Sequence, residues 1–344
     1  MTSGIESYQT IDRAALSARI KKGLRILLLI SVLTYLVIFL FTHTKDTWSY
    51  FHSLRPLYLL YVLLLWALYL FFDGLRVRVL ASALGGKVDL KTAAEVILTG
   101  LFLAAVTPFQ IGGFPVQLYI LKKRSLSLGK STLVLLFRGL LTTLLLAPVF
   151  PFIYFVYREY FTSTLIKGLF FYLAIVFPVG LAIFGLFMLF PQQMKSRFGF
   201  LRLKKISSYY DRFFQEVYEA RSGLSKFLLQ KRLHLLYAFL ATVGSTVCFY
   251  LIALAIILGL GIDAPKIDVV IRQLILNVIL MFIPTPGASG VAEAGFYALF
   301  SPVCPKAIIG VYTVLWRFFT FYLGVAIGAI IVLNLLKPPK DSSQ

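Results

Sequence analysis

Apolar residues in this chain run in long unbroken blocks, neither alternating nor recurring on a single helical face. Six blocks of 16 to 29 residues cover positions 24–41, 57–72, 131–157, 165–190, 233–260 and 307–335. A helix of roughly 20 residues crosses about 30 Å of hydrocarbon, and it satisfies its own backbone hydrogen bonds on the way. The pattern predicts six full spans. The basic run Arg19-Ile-Lys-Lys-Gly-Leu-Arg25 precedes the first block, whose apolar core shows no small-x-small cleavage site. That predicts a retained anchor in place of a cleaved signal.

Two further apolar segments are interrupted. Residues 93–121 contain Thr107-Pro-Phe-Gln-Ile-Gly-Gly-Phe-Pro115, and residues 269–300 contain Pro284-Thr-Pro-Gly-Ala-Ser-Gly290. Proline removes a backbone donor and glycine loosens a helix, so neither segment predicts one continuous crossing. Each half is too short to span alone. Two broken hairpins are expected.

Composition agrees with a membrane interior: 59% of the residues are hydrophobic, 14% are charged and the mean hydropathy is +0.87. The net charge of +20 would suit nucleic acid were it spread evenly. Its distribution says otherwise. Residues 1–23, 73–92, 121–130, 191–232 and 336–344 hold 24 Lys and Arg, whereas 42–56, 158–167, 261–270 and 301–306 hold only 6. This positive-inside pattern predicts a multi-pass cell-membrane protein of the inner-membrane type with both termini cytoplasmic, in contact with anionic lipid and not with nucleic acid. The first hairpin has basic flanks and so enters from the cytoplasm; the second has basic-poor flanks and enters from outside.

The two breaks also align. At a shift of 178 residues Thr107, Pro108 and Gly112 fall on Thr285, Pro286 and Gly290, and at a shift of 179 Leu136-Phe-Arg138 falls on Leu315-Trp-Arg317. Each half reads span, span, hairpin, span, and an odd number of crossings inverts the second half. The expected fold is an all-α polytopic membrane protein of six full transmembrane helices plus two re-entrant broken hairpins. It forms one transmembrane domain over 1–344, with inverted repeats at about 20–157 and 165–335 that meet at a midplane site. Ordinary kinked helices would predict neither the shared shift nor the opposite flanking charge.

Arg138 and Arg317 lie well inside their spans. An arginine at that depth costs at least about 2.5–3.5 kcal/mol, so each needs a partner or a wet cavity. Glu293 is the natural partner, and Glu95 a weaker one. Such a pair either braces hairpin to helix or touches substrate, and both roles stay open. Helix ends inside the membrane attract anions, and a guanidinium grips phosphate bidentately. Gln110 and Gln117 add donors near the first break, Thr285 and Ser289 near the second; capping of the broken helices competes with ligand binding at each.

Residues 204–232 put Ile206, Tyr210, Phe213 and Val217 on one helical face and Lys205, Arg212 and Arg221 on another, as expected of a helix on the inner leaflet. Gly129-Lys-Ser131 lacks the glycine that a phosphate-binding loop requires, and Gly324 with Gly328 reads as close helix packing. Cys248, Cys304, His43, His52 and His234 are scattered, which predicts no disulfide, metal or cofactor. No nucleophile with a neighbouring base is readable, so no catalytic residue is assigned.

The two broken motifs, each followed by its in-membrane arginine, resemble the lysylphosphatidylglycerol synthase transmembrane family, also described as flippase-like, over about residues 20–335. The resemblance implies movement of lipids between leaflets. It supports Pro108, Gly112, Gly113, Pro115, Gln117 and Arg138 in the first motif, and Pro284, Pro286, Gly287, Gly290, Glu293 and Arg317 in the second. Phe114 replaces a polar residue often found after the paired glycines, and Ala288 stands where a second glycine is usual. Nine residues follow the last span, so the soluble aminoacyl-transfer domain of the synthases is not expected. The substrate-binding candidates are therefore Arg138, Arg317, Glu293, Gln117, Gln110, Pro108, Gly112, Gly113, Pro286, Gly287 and Gly290. The expected function is to bind an anionic head group, of phospholipid or polyprenyl phosphate type, and carry it across. A membrane-embedded transferase, or an accessory of lipid-linked cell-envelope glycosylation, is the alternative.

Overall fold

A computed structural model describes residues 13–42, 55–107, 112–123, 126–157, 164–176 and 230–336, with isolated positions between 178 and 193. Pro108, Gln110 and most of the basic 191–232 segment lie outside the described residues, and the fourth expected span is described only at its start. Among the described residues every regular element is helical. In chain order these are α1 (Arg13–Thr42), α2 (Pro56–Ala83), α3 (Leu90–Ala105), α4 (Gly113–Lys123), α5 (Leu128–Leu146) and α6 (Val149–Val156). There follow α7 (Thr164–Phe171), α8 (Arg232–Gly259), α9 (Lys266–Leu280), α10 (Val291–Phe300), α11 (Lys306–Arg317) and α12 (Leu323–Leu336).

Four stretches, Pro56–Ala83, Leu128–Val156, Arg232–Gly259 and Lys306–Leu335, are long and apolar enough to cross a membrane. Their outer faces carry exposed Leu60, Leu136, Leu240 and Ile330, which only hydrocarbon would tolerate in such number. α1 is a further continuous helix of 30 residues. Two expected boundaries need correction. The second span does not end at position 72: α2 runs on to Ala83 with Asp73 and Arg76 buried, because the two charges neutralise one another inside the helix bundle. The span read as 131–157 runs as one stretch from Leu128 to Val156, with only its hydrogen-bond ladder interrupted between α5 and α6, where Pro148 cannot donate.

α2 and α8 form the central, antiparallel pair. The Arg55 amide donates to the Gly259 carbonyl at one end (3.2 Å), the Tyr69 and Phe249 rings meet midway (5.4 Å), and Arg76 reaches the Thr242 hydroxyl at the other end (3.4 Å). The helices touch this closely because Gly259 has no side chain; a Cβ there would sit 2.6 Å from that of Tyr58.

Both interrupted segments fold back on themselves. Gly113 at the start of α4 lies against the Gly100 carbonyl of α3, and Arg272 of α9 donates to the Leu299 carbonyl at the end of α10. At 16 and 11 residues in the first hairpin, and 15 and 10 in the second, the arms are shorter than a membrane crossing. α1 lies across the second break, with Ser31 3.4 Å from Ser289 and the Tyr35 ring 6.3 Å from that of Tyr322. An aromatic stack of Phe300, Phe296 and Trp316, with centroid separations of 4.1 and 4.5 Å, joins α10 to α11, and the Tyr312 hydroxyl ties both to the Ala253 carbonyl of α8 at 2.9 Å.

The Gly324 and Gly328 pair packs inside the protein, against α3. A Cβ on Gly328 would lie 2.1 Å from the Leu98 carbonyl oxygen, whereas one on Gly324 would meet the tip of the Leu101 side chain at 2.4 Å. Backbone cannot give way as a side-chain tip can. Gly328→Ala is therefore expected to destabilise the protein by about 1–3 kcal/mol and Gly324→Ala by less, read as the order of their unfolding temperatures in detergent.

Candidate functional site

Each break is bridged by the polar side chains beside it, which take up backbone groups that the interrupted helices leave unpaired. At the first break the Thr107 hydroxyl donates to the Leu103 carbonyl (2.7 Å) and accepts from the Gly112 amide (2.9 Å). At the second the Thr285 hydroxyl donates to the Ser289 carbonyl (3.1 Å), and the Gly290 amide donates to Glu293 (2.7 Å). Pro286, Gly287 and Ala288 form a single 3₁₀ turn between these contacts. Gly287 and Gly290 have φ of 59° and 87°, left-handed conformations that glycine adopts freely. Ala288 has a φ of 52°, so the usual glycine is replaced there by a residue for which this backbone is strained.

The two arginines sit in unlike surroundings. Arg317 is closely held: its Nε lies 3.2 Å from Glu293, an Nη donates to the Gly287 carbonyl, and the Phe321 ring covers its face at 3.8 Å. The π turn Phe318–Tyr322, directly after Arg317, brings Phe321 into that position and Tyr322 within 3.4 Å of the Glu293 carboxylate. Glu293 is fully buried, and one of its oxygens caps α10 while the other holds Arg317.

Arg138 pairs with Asp73 and not with Glu95. The bond is bidentate, at 3.0 and 2.6 Å, and the same carboxylate also takes a hydrogen bond from Arg76. Arg76 in turn reaches the Thr142 hydroxyl of α5 at 2.7 Å, so one acidic group fastens α2 to α5. Sequence reasoning missed Asp73 and Arg76 by reading them as loop. Their spacing of three residues, within an apolar run that continues through Val77 and Leu80, is the signal that marks them as helical.

Two adjoining cavities lie between the clusters. The larger, of about 350 Å³, is lined by Trp66, Thr142, Phe249, Asn277, Gly287 and Arg317 among others, and so draws on both halves of the chain. The smaller, of about 230 Å³, is lined by Gly113, Phe114, Gln117 and Arg138. Tyr69, Ile97, Leu101 and Ala104 line both and form the partition. The structure thus gathers Gly113, Gln117 and Arg138 at one cavity and Gly287 and Arg317 at the other. Gly112, Pro286, Gly290 and Glu293 shape the breaks.

Residues 25–328 match the family described as the lysylphosphatidylglycerol synthase TM region. The chain belongs to that family. A UPF0104 membrane protein of Archaeoglobus fulgidus is 27% identical to it over 317 residues, covering 89% of this chain and 94% of that relative. No solved structure matches. The family match takes in both breaks and both arginine clusters, so a membrane protein connected with lipids is the class to which the site belongs.

Glu293→Gln removes the carboxylate and leaves Arg317 buried and uncompensated. The expected loss is about 3–5 kcal/mol of stability in denaturant titrations in micelles, and the double variant Glu293→Gln/Arg317→Met should lose less than Glu293→Gln alone.

Proposed function

We propose that this protein is a carrier that binds an anionic lipid head group, of phospholipid or polyprenyl phosphate type, between its two halves and moves it between leaflets. The observation that carries the reading is the larger cavity, which is walled by both halves and contiguous with a second that holds Arg138. A site between helices with an apolar lining and a few polar groups suits an amphiphile.

Under this reading the chain makes six crossings and two re-entrant hairpins, arranged as inverted repeats with both termini in the cytoplasm. The antiparallel pairing of α2 with α8 supports it, as does the use of the aligned Thr107 and Thr285 at their respective breaks. Asp89, which caps α3, also falls 179 residues before Asp268 in the first turn of α9. A transferase would need an available base, and both oxygens of Glu293 are engaged. That supports a transporter over a transferase built on Glu293, with movement downhill or coupled to an ion.

In vesicles of defined lipid, the reconstituted protein should speed exchange of a reporter phospholipid between leaflets, and Arg138→Ala should slow it. Exchange no faster than in empty vesicles would sink the carrier reading. The topology has a separate test. With Cys248 and Cys304 replaced by serine, cysteines at Lys130 and Ser301, both exposed, should label from opposite sides of the membrane. The native Cys304 thiol, buried and pushed up to about 12 by that burial, competes poorly for reagent even when retained.

A further inference from the structure

Neutral and charged clusters differ in what they can still bind. Glu293 and Arg317 cancel, and Arg317 has its Nε, an Nη and its flat face all occupied, with 5% of its side chain exposed. At the other cluster one carboxylate, Asp73, serves two guanidiniums, Arg76 and Arg138, leaving a surplus of one positive charge. The buried Arg76 Nε has no acceptor among the described residues. Arg138 spends its Nε and one Nη on Asp73, and 22% of its side chain remains exposed toward the smaller cavity.

Gln117 faces the same cavity. It is 8% exposed and its amide has no hydrogen-bond partner among the described residues. The amide is not among the side-chain groups cut off from solvent, so water or a ligand in the cavity can complete it. Packing fixes its position: Gly100 has no side chain, and a Cβ there would come within 2.1 Å of the Gln117 Nε2. Gly113 and Phe114 open α4 at the same wall, and first-turn amides have no intrahelical acceptor. A guanidinium with one Nη left over, a side-chain amide and a helix start thus line one cavity as donors, and Asp73 is not among the residues lining it.

We propose that the two arginines have divided roles: an oxyanion of phosphate type docks at Arg138 and Gln117 in the smaller cavity, while Arg317 is a brace that never touches it. This deepens the carrier reading and rests on it only for the phosphate being part of a lipid. The larger, chiefly apolar cavity beyond the Tyr69 partition then receives the less polar remainder of the same molecule.

The test is binding of spin-labelled phosphatidylglycerol to the purified full-length protein in phosphatidylcholine nanodiscs, with inorganic phosphate as competitor. Gln117→Leu and Arg138→Lys are each expected to weaken binding about tenfold, and Glu293→Gln/Arg317→Met, which alters the wall of the larger cavity away from the docked oxyanion, to weaken it by clearly less. Gln117→Glu keeps the shape that packs on Gly100, so it guards against a folding defect and should abolish binding by repulsion. Competition by millimolar inorganic phosphate would assign the site to the free anion, and failure to compete would assign it to the lipid; either outcome supports an oxyanion site. Unchanged binding in the folded Gln117 variants, or equal loss in the Arg317 pair, overturns the division of roles. If wild type binds but does not translocate, the carrier reading falls and the site stands. Translocation that persists in Gln117→Glu with binding intact removes the site and leaves the carrier.

Discussion

Hydrocarbon offers no hydrogen bonds, so every departure from a plain apolar helix in this protein has to be repaired by the protein itself. The repairs are few, and they organise the rest. Thr107 and Gly112 close one break, Thr285, Ser289 and Glu293 the other, and each repair fixes where the following helix begins. Once α10 starts at Gly290, Glu293 faces Arg317, and the aromatic stack of Phe296, Phe300 and Trp316 follows on the same elements. Once α4 starts at Gly113, Gln117 lies on Gly100 beside Arg138.

Charge is handled by the same rule with unequal results. Burying an ion pair costs more desolvation than a surface pair and is tolerated when further hydrogen bonds complete both partners. Glu293 and Arg317 meet that condition with a backbone amide, a backbone carbonyl and a ring face. Asp73, shared between Arg76 and Arg138, meets it for the acid and leaves the bases in surplus. Two arginines that look equivalent in the sequence are therefore distinct in their bonding: Arg317 is matched by one carboxylate of its own and a backbone carbonyl, whereas Arg138 shares its carboxylate with Arg76.

Long apolar blocks, both Pro and Gly breaks and the pairing of Glu293 with Arg317 were legible in the sequence, because each depends on local composition or on a short separation along the chain. Asp73 was not, since charged residues at the end of an apolar run look like a loop until their partner, 65 positions away, is known. Tyr69 and Asn277 gave no signal either: a cavity wall is a property of helix packing, and neither residue stands out from its block. The glycine pair in α12 was read correctly as close packing, though the partner α3 was beyond reach.

The antiparallel core pair joins segments from opposite ends of the chain, with Arg76 hydrogen-bonded to Thr242 across 166 positions. During synthesis α2 enters the membrane long before α8 exists. Until α8 arrives, the surface of α2 that carries Tyr69 and Phe72 faces lipid or the insertion machinery, and Arg76 has only Asp73 and Thr142 to hold it. Asp73, three residues from Arg76 on the same helix, is thus a partner for that guanidinium that does not depend on any later segment of the chain.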